Sequence, residues 1–588
     1  MKMKNSIYLL LILAMMSCKT DLNLKPFDKL DPGNAFNTEQ DLQLYATSFY
    51  KILPDGNAII RGDVMSDYMA GKDVNTFIQR DAYSATQSTG WSWGDLRNIN
   101  YFLEHYSQAK IADEAKNHYA GVARFFRAMF YFEKVKRFGD VPWYGKTMTI
   151  DDPDLYKGRD PRAAVMDSIL ADLDFACANI RNKKDNSCSQ ITRWVALAYK
   201  SRVCLFEGTY RKHRPGTRVP GADTWLNAAV SAADEVIRSG LYTLNTGGDP
   251  TMNYRNLFIN ETPNANEVIL AYVCNKSLRV FNDANWYFTS ATYGNRISLV
   301  KTFTDTYLNI DGSRFTDTPG YDNLPFNEEV KNRDLRLQQT IRMGKYSRDG
   351  QIAPPDFTYT YTGYQPLKFT MDSKATDGVA ENNNSVPIIR YAEVLLNKAE
   401  ARAELGVLSA DDWNTTIKLL RARAGLKNTD MPLTADPYLV DYFRDKAAHP
   451  NVNASVTDAA LLEVRRERGI ELILEGFRFY DLVRWGLGPL LLKPYIGLYV
   501  PAMDALMDLN EDGKPDVSFV KKTPATKVPG VYYFLIDDDQ TKLSAGTSGN
   551  LIWLSNIERQ WEDYKYVYPI PYNELVLNPK LVQNPDWK

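Results

Sequence analysis

The residues of this chain best suited to chemistry are aromatic rings set among planar polar side chains. Flat apolar faces stack on the C–H surface of a pyranose ring, while amides, carboxylates and guanidinium groups hydrogen-bond its hydroxyls. Three segments offer that mixture. Asp73–Trp93 holds Asp73, Asn75, Arg80, Tyr83, Trp91 and Trp93. Asn275–Arg296 holds Asn282, Asp283, Asn285, Trp286, Tyr287, Tyr293, Asn295 and Arg296. Asp356–Tyr364 reads DFTYTYTGY, which puts Tyr359 and Tyr361 on one face if it is extended. Trp286 leads as a stacking residue, because Asn285 and Tyr287 flank it in a stretch with no helical period. Its competing role is to anchor a loop in the core. For Trp91 and Trp93 that competing role is stronger, since they open the helical pattern WGDLRNINYFLEHY and can staple its start. The candidate ligand set is therefore Asp73, Trp91, Trp93, Asn285, Trp286, Tyr287, Tyr293 and Arg296.

A second chemistry is metal ligation. Asp508–Asp516 reads DLNEDGKPD. Asp508, Asn510, Asp512, the Lys514 carbonyl and Asp516 follow the first part of a calcium loop, with Gly513 at the sharp turn. The twelfth position, which should carry a bidentate acid, is Phe519. The loop would need a ligand from elsewhere, its calcium would be structural, and a plain Asx/Gly turn is the alternative. No other cofactor is expected. Signatures of covalent chemistry are lacking: there is no GxSxG, P-loop or dinucleotide fingerprint. The four histidines share no HExxH spacing. With 70 basic against 72 acidic residues and no long basic run, a nucleic-acid partner is not expected.

The N-terminus reads as an export signal: Lys2 and Lys4, a short apolar run Ile7–Met16, then Ser17-Cys18. A small residue directly before Cys is where a lipoprotein signal peptidase cuts, so Cys18 would be the acylated mature N-terminus. Met15 and Met16 depart from the usual pattern there. Stable anchoring needs more than one acyl chain, which lipoprotein modification supplies. Four cysteines remain, Cys177, Cys188, Cys204 and Cys274. Cys177 and Cys204 read as buried hydrophobes, and Cys188 lies in a polar loop where exposure, or a Cys177–Cys188 bridge, is open.

The elements that must position these residues are mostly helices. At 588 residues the chain exceeds one ordinary core. Helix pairs recur: Ala115–Phe138 with Ala163–Ile180, Trp194–Gly208 with Ala228–Ser239, and Arg390–Gly406 with Ala410–Gly425. Ala459–Glu475 is followed by Tyr480–Leu487. Ala196, Ala198 and Ser201, and Ala399, Ala401 and Ala403, give the small contacts of tetratricopeptide-like pairs. Gly240–Ser385 and Lys493–Tyr564 are irregular, and long irregular segments in a compact protein are usually functional excursions.

The helix pattern Leu461–Gly486 carries Glu463, Glu467, Glu471 and Glu475 every four residues. Like charges at that spacing repel, so basic partners must compensate; Arg468, Arg478 and Arg484 sit at three-residue intervals from Glu471, Glu475 and Asp481. Semi-buried Arg–carboxylate pairs are the expectation. The run Glu467-Arg468…Glu471-Leu472…Glu475-Gly476-x-Arg478…Asp481-Leu482-x-Arg484-Trp485-Gly486 also resembles the C-terminal signature of SusD/RagB-like outer-membrane nutrient-binding lipoproteins. Pro387–Gly406, Gly121–Pro142 and Tyr568–Trp587 agree with that family, in its order.

The resemblance implies a mainly α fold, a tetratricopeptide-like helix-pair scaffold with large loop-rich insertions. It divides the chain into a lipoprotein signal peptide at 1–17, a lipidated tether at 18–33, an N-terminal SusD-like helical region at 34–300 and a C-terminal RagB/SusD region at 301–588. It implies a cell-surface lipoprotein of the outer membrane that binds glycan without turnover and delivers it to a SusC-like TonB-dependent transporter. A RagB-type peptide binder, or a helical glycoside hydrolase, are the rival readings.

Overall fold

The structure is a computed structural model that describes residues 36–214, 220–289, 296–444 and 458–587. Cys18, its tether and Tyr293 lie outside the described residues. Helices longer than two turns are α1 (Glu39–Thr47), α2 (Gly94–His105), α3 (Asp113–Phe138), α4 (Arg162–Asn179), α5 (Arg193–His213), α6 (Ala222–Arg238), α7 (Tyr391–Glu404), α8 (Ala459–Glu471) and α9 (Arg478–Trp485). Among the described residues no helix is long and apolar enough to cross a membrane.

The scaffold follows from local signals. In α3, Asp113 and Glu114 occupy the first turn and Lys136 and Arg137 the last, which complements the helix dipole. Thr192 caps α5 by accepting from the Val195 N–H at 3.3 Å. Helix α3 packs on α4, α5 on α6, α6 on α7 and α7 on α8. Glycine permits two of these approaches: a Cβ at Gly121 would meet Ile180 at 2.8 Å, and one at Gly208 would meet Leu226 at 2.7 Å. The expected small residues of α5 and α7 are buried, and Asn397 of α7 donates to the Ser201 hydroxyl of α5 at 3.0 Å.

The third pair differs from expectation. Its second member breaks into Ala410–Asn414 and Ile417–Arg423. The Thr415 and Thr416 hydroxyls donate back to the carbonyls of Asp411 and Asp412, the bonding by which threonines bend or end a helix. The block Lys493–Tyr564 is also more regular than it reads. Tyr495–Val500, Gly549–Trp553 and Thr541–Leu543 form an antiparallel sheet, and Val517–Val520 runs parallel to Tyr532–Leu535.

The acidic stripe Glu463–Glu475, on α8 and the turn after it, is buried, and its partners are mostly distant in sequence. Glu471 takes Arg336 at 2.9 Å, Arg390 at 2.5 Å and Arg423. Glu475 takes Arg390 and Lys368, and Glu467 takes Arg336 and Arg421. The expected Arg468–Glu471 and Arg478–Glu475 pairs do not form. Arg468 and Arg484 both bind Asp481, and Arg478 binds Asp67. Glu463 takes Arg421 and, within α8, Arg466.

All four described cysteines are free and buried, so the open Cys177–Cys188 bridge is not made. Cys188 is fully buried despite its polar neighbours, and its thiol lies 3.2 Å from the Val268 carbonyl. Burial pushes the Cys188 thiol up to about 12.

Candidate functional site

Three loops that are far apart in sequence are knitted into one place. Met69–Ala70 pairs antiparallel with Ser298–Leu299. The Leu299 N–H donates to the Tyr364 carbonyl at 3.0 Å, and the Tyr361 N–H donates to the Ser298 hydroxyl at 2.9 Å. Asp73, Arg296 and Tyr361 are thereby brought together. The Tyr361 ring stacks on Trp553, with the Arg296 guanidinium 5.5 Å from the Tyr361 centroid. The Trp553 Nε1–H donates to the Gly71 carbonyl at 2.8 Å, which fixes the turn that presents Lys72 and Asp73. Burial raises the Tyr361 phenol, Arg296 opposes that and Asp73 adds to it.

Beside these residues lies a cleft of about 300 Å³ lined by Lys72, Asp73, Asn75, Thr76, Ile297 and Tyr495. Lys72, Asp73 and Thr76 are exposed. The volume suits a sugar unit or two. Trp553, Tyr495, Lys72 and Thr76 were not singled out from sequence. The alternation around Trp553 was the available signal, hidden in a block read as irregular.

Trp286 sits on a short helix, Ala284–Thr289, and not in an aperiodic loop. It is half-buried, with Arg61 5.7 Å from its ring centroid, and Arg61 pairs with Asp283 at 3.0 Å. Asn285 is a correction. Its side chain is fully buried and bonded at both ends, donating to the Met371 carbonyl and Asp377 and accepting from Met371 N–H and Asn382. It holds the loop and has nothing to offer a ligand. Tyr287 is likewise buried in the core. The segment Asp356–Tyr364 is a series of turns, so Tyr359 and Tyr361 do not share an extended face; Tyr361 is buried.

Trp91 and Trp93 are remote from this cleft. Trp91 is buried edge-on against Phe138 and Trp93, with centroids 4.9 and 5.4 Å away. Trp93 packs against Phe130, Tyr131 and Tyr144 and lines a separate cleft of about 390 Å³ with Tyr156, Leu577 and Leu581. Several polar groups around that cleft are already engaged. Asn100 donates to the Tyr144 and Lys146 carbonyls, Arg97 to Met148, the Tyr144 hydroxyl to Leu155, and Asn578 to Lys157. Tyr156 and Glu574 also line the cleft. The two tryptophans staple the start of α2.

The Asp508–Asp516 loop closes on its own amides. Asp508 accepts from the N–H groups of Asn510, Glu511 and Gly513, Asn510 from Asp512, Asp512 from Lys514, and Asp516 from Leu509. Burial pushes Asp516 up to about 6; the Leu509 N–H opposes this, and Asp508 and Asp512 add to it. Among the described residues no three His, Cys, Asp or Glu side chains gather as a metal set. As placed, Asp508, Asn510, Asp512 and Asp516 each accept from amides of their own loop, the bonding of an Asx/Gly turn.

The molecule is thus a helical scaffold carrying a loop-built cleft, with an Arg–carboxylate network buried within it. The SusD family pattern matches residues 260–587, more than half of the chain. The chain belongs to the SusD family. A second family pattern, described as starch-binding associating with outer membrane, matches residues 34–205 of this SusD-family chain. A SusD-like protein of Formosa agariphila is 22% identical over 82% of this chain and 91% of its own length. A crystal structure described as a SusD-like carbohydrate binding protein, from Bacteroides fragilis, superposes with a TM-score of 0.67 at 20% identity, covering 93% of this chain and 99% of that one. A second SusD-like structure from Bacteroides fragilis gives 0.66 at 21% identity, covering 96% and 100%. The mainly helical SusD-like fold is that of both.

Proposed function

We propose that this protein is a lipid-anchored outer-membrane protein that captures glycan at the cleft beside Asp73, Arg296 and Tyr361. It passes oligosaccharides to a SusC-like TonB-dependent transporter, and it does no covalent chemistry. The observation that carries the reading is the convergence of exposed Asp73 and Lys72 with Arg296 against a rigid ring pair. A carboxylate and two cations beside a cleft of sugar size are suited to hydroxyl recognition. The SusD-like neighbour described as carbohydrate binding supports the same reading. Cys18, following Ser17, supports the anchor.

Affinity electrophoresis of Lys19–Lys588 in gels cast with a polysaccharide panel tests it, beside Asp73→Ala and Arg296→Ala. Retardation by a glycan that both variants lose supports the reading. Retardation by no glycan sends the protein to the peptide class. Release of reducing sugar would make it a hydrolase. Co-purification with a β-barrel transporter tests the delivery step separately.

A further inference from the structure

A groove larger than the cleft adjoins it, sharing Val64, Met65 and Asn75 with it, and runs between α3, α5, the Phe477–Tyr480 stretch and the turn that follows Ile52. It holds about 600 Å³, enough for two or three sugar rings. Phe132, Phe206, Phe477 and Tyr480 wall it. Ala58, Val64 and Glu133 at its rim are exposed, so it opens to solvent.

Two polar groups lining it keep hydrogen-bonding capacity to spare. Tyr199 of α5 is 2% exposed, and its hydroxyl makes no hydrogen bond. A buried hydroxyl without a partner costs roughly 1–3 kcal/mol, so its presence needs a reason. Its charged neighbours do not supply one. Arg202 is bound to both oxygens of Glu393 and to the Ile388 carbonyl. Glu133 is paired with Lys136 at 2.7 Å. The second group is Arg137, at the end of α3. Its Nε donates to the Thr89 carbonyl at 3.0 Å, and its plane lies 3.9 Å from the Tyr568 centroid. Among the described residues no carboxylate pairs with it. Tyr568 and Thr89 hold the guanidinium in place, and its two Nη groups stay available as a fork. That fork matches the two oxygens of a carboxylate or sulfate.

We propose that this groove is a second binding site, for a short acidic saccharide. Arg137 takes the carboxylate or sulfate ester, the rings pack on the sugar faces, and Tyr199 bonds a hydroxyl at the floor. The site abuts the Asp73–Arg296 cleft but is lined by neither Asp73 nor Arg296, and a neutral glycan held at the cleft is measured separately.

Isothermal titration calorimetry tests the proposal on the chain from Lys19, with tri-galacturonate, a chondroitin sulfate disaccharide and neutral maltotriose as probes. Arg137→Gln removes the charge, and Tyr199→Phe removes one oxygen. Because that oxygen has no protein partner, Tyr199→Phe keeps or raises the melting temperature. At least one acidic probe binds, Arg137→Gln weakens it about tenfold or more, and Tyr199→Phe weakens it about fivefold. Asp73→Ala leaves that affinity unchanged, and maltotriose responds to neither groove variant. A carboxylate site prefers tri-galacturonate and a sulfate site the disaccharide. Binding of neither acidic probe, or equal affinity in Arg137→Gln, overturns the proposal, whatever the polysaccharide gels show.

Discussion

Tyr361 and Trp553 stack with ring centroids 4.0 Å apart and planes 10° from parallel. Each residue is only 8% exposed, so the pair is a strut under the cleft and not a platform that a sugar can cover. It joins three loops: Tyr361 is tied to Ser298, Trp553 to Gly71, and Arg296 lies over the outer face of Tyr361. Trp553→Ala therefore removes packing and positioning together. Its unfolding free energy in urea falls by about 3–5 kcal/mol, and glycan retardation is lost. Trp553→Phe keeps the stack and loses the Nε1–H bond, so it costs about 1 kcal/mol for the bond plus the smaller packing loss, and it retains part of the retardation. Unchanged retardation in Trp553→Ala would remove the strut from the site.

Asp73 is exposed and carries little of the fold. Asp73→Ala should shift the melting temperature by less than about 2 °C while weakening glycan binding about tenfold, read by calorimetry with the glycan found in the gels. A large loss of stability with binding intact would make Asp73 a structural residue.

Trp93 gives the opposite pattern. It packs on four aromatic rings. Trp93→Ala should destabilise by about 3 kcal/mol and leave the glycan affinity of the folded protein unchanged. Loss of affinity at full folding, checked by circular dichroism, would return the α2 start to the binding site.

The sequence made the scaffold legible for a physical reason. Helix periodicity and the small residues of α5 and α7 are local, and tertiary packing agrees with them. The stripe Glu463–Glu475 was also legible as ion-paired, but its partners Arg336, Arg390 and Arg423 lie 48 to 135 residues away and no spacing rule reaches them. The site was legible as composition and not as geometry. Asp73 and Arg296 stand beside the cleft, whereas Asn285 and Tyr287, one residue either side of Trp286, are buried because a one-turn helix points them inward. Trp553 escaped because its role depends on a strand pairing with Tyr495–Val500, which is a long-range choice.

The ion network yields a stability prediction with a sign. Burial opposes ionisation of Glu471, and Arg423, Arg390 and Arg336 together overcome it, holding its carboxyl well below the usual range. A depressed carboxylate stabilises the fold above its unfolded value near 4.5, and that contribution is lost as pH falls below it. Glu471→Gln leaves three buried guanidinium groups short of charge, so it costs about 3–5 kcal/mol at pH 7 and flattens the acid limb of the stability curve. A variant with wild-type stability would mean that the network is dispensable.

Asp63 titrates in the other direction. It is fully buried and accepts from the Tyr68 hydroxyl at 2.6 Å, the Gly476 N–H at 2.8 Å and the Arg478 N–H at 2.9 Å. Burial outweighs those bonds and pushes its carboxyl up to about 6. The native state therefore keeps a proton that the unfolded chain has already released above about pH 4. Stability must fall as pH rises through that window, by about 1.4 kcal/mol between pH 5 and pH 8, and level off above the folded value. The three donors serve a carboxylate, so Asp63→Asn turns one amide N–H against the Gly476 N–H and destabilises at every pH. Its stability curve between pH 5 and pH 8 should nevertheless be flatter than that of the wild type, because the titrating group is gone. Parallel wild-type and variant curves over that range would mean that Asp63 ionises normally, and that the three donors outweigh its burial.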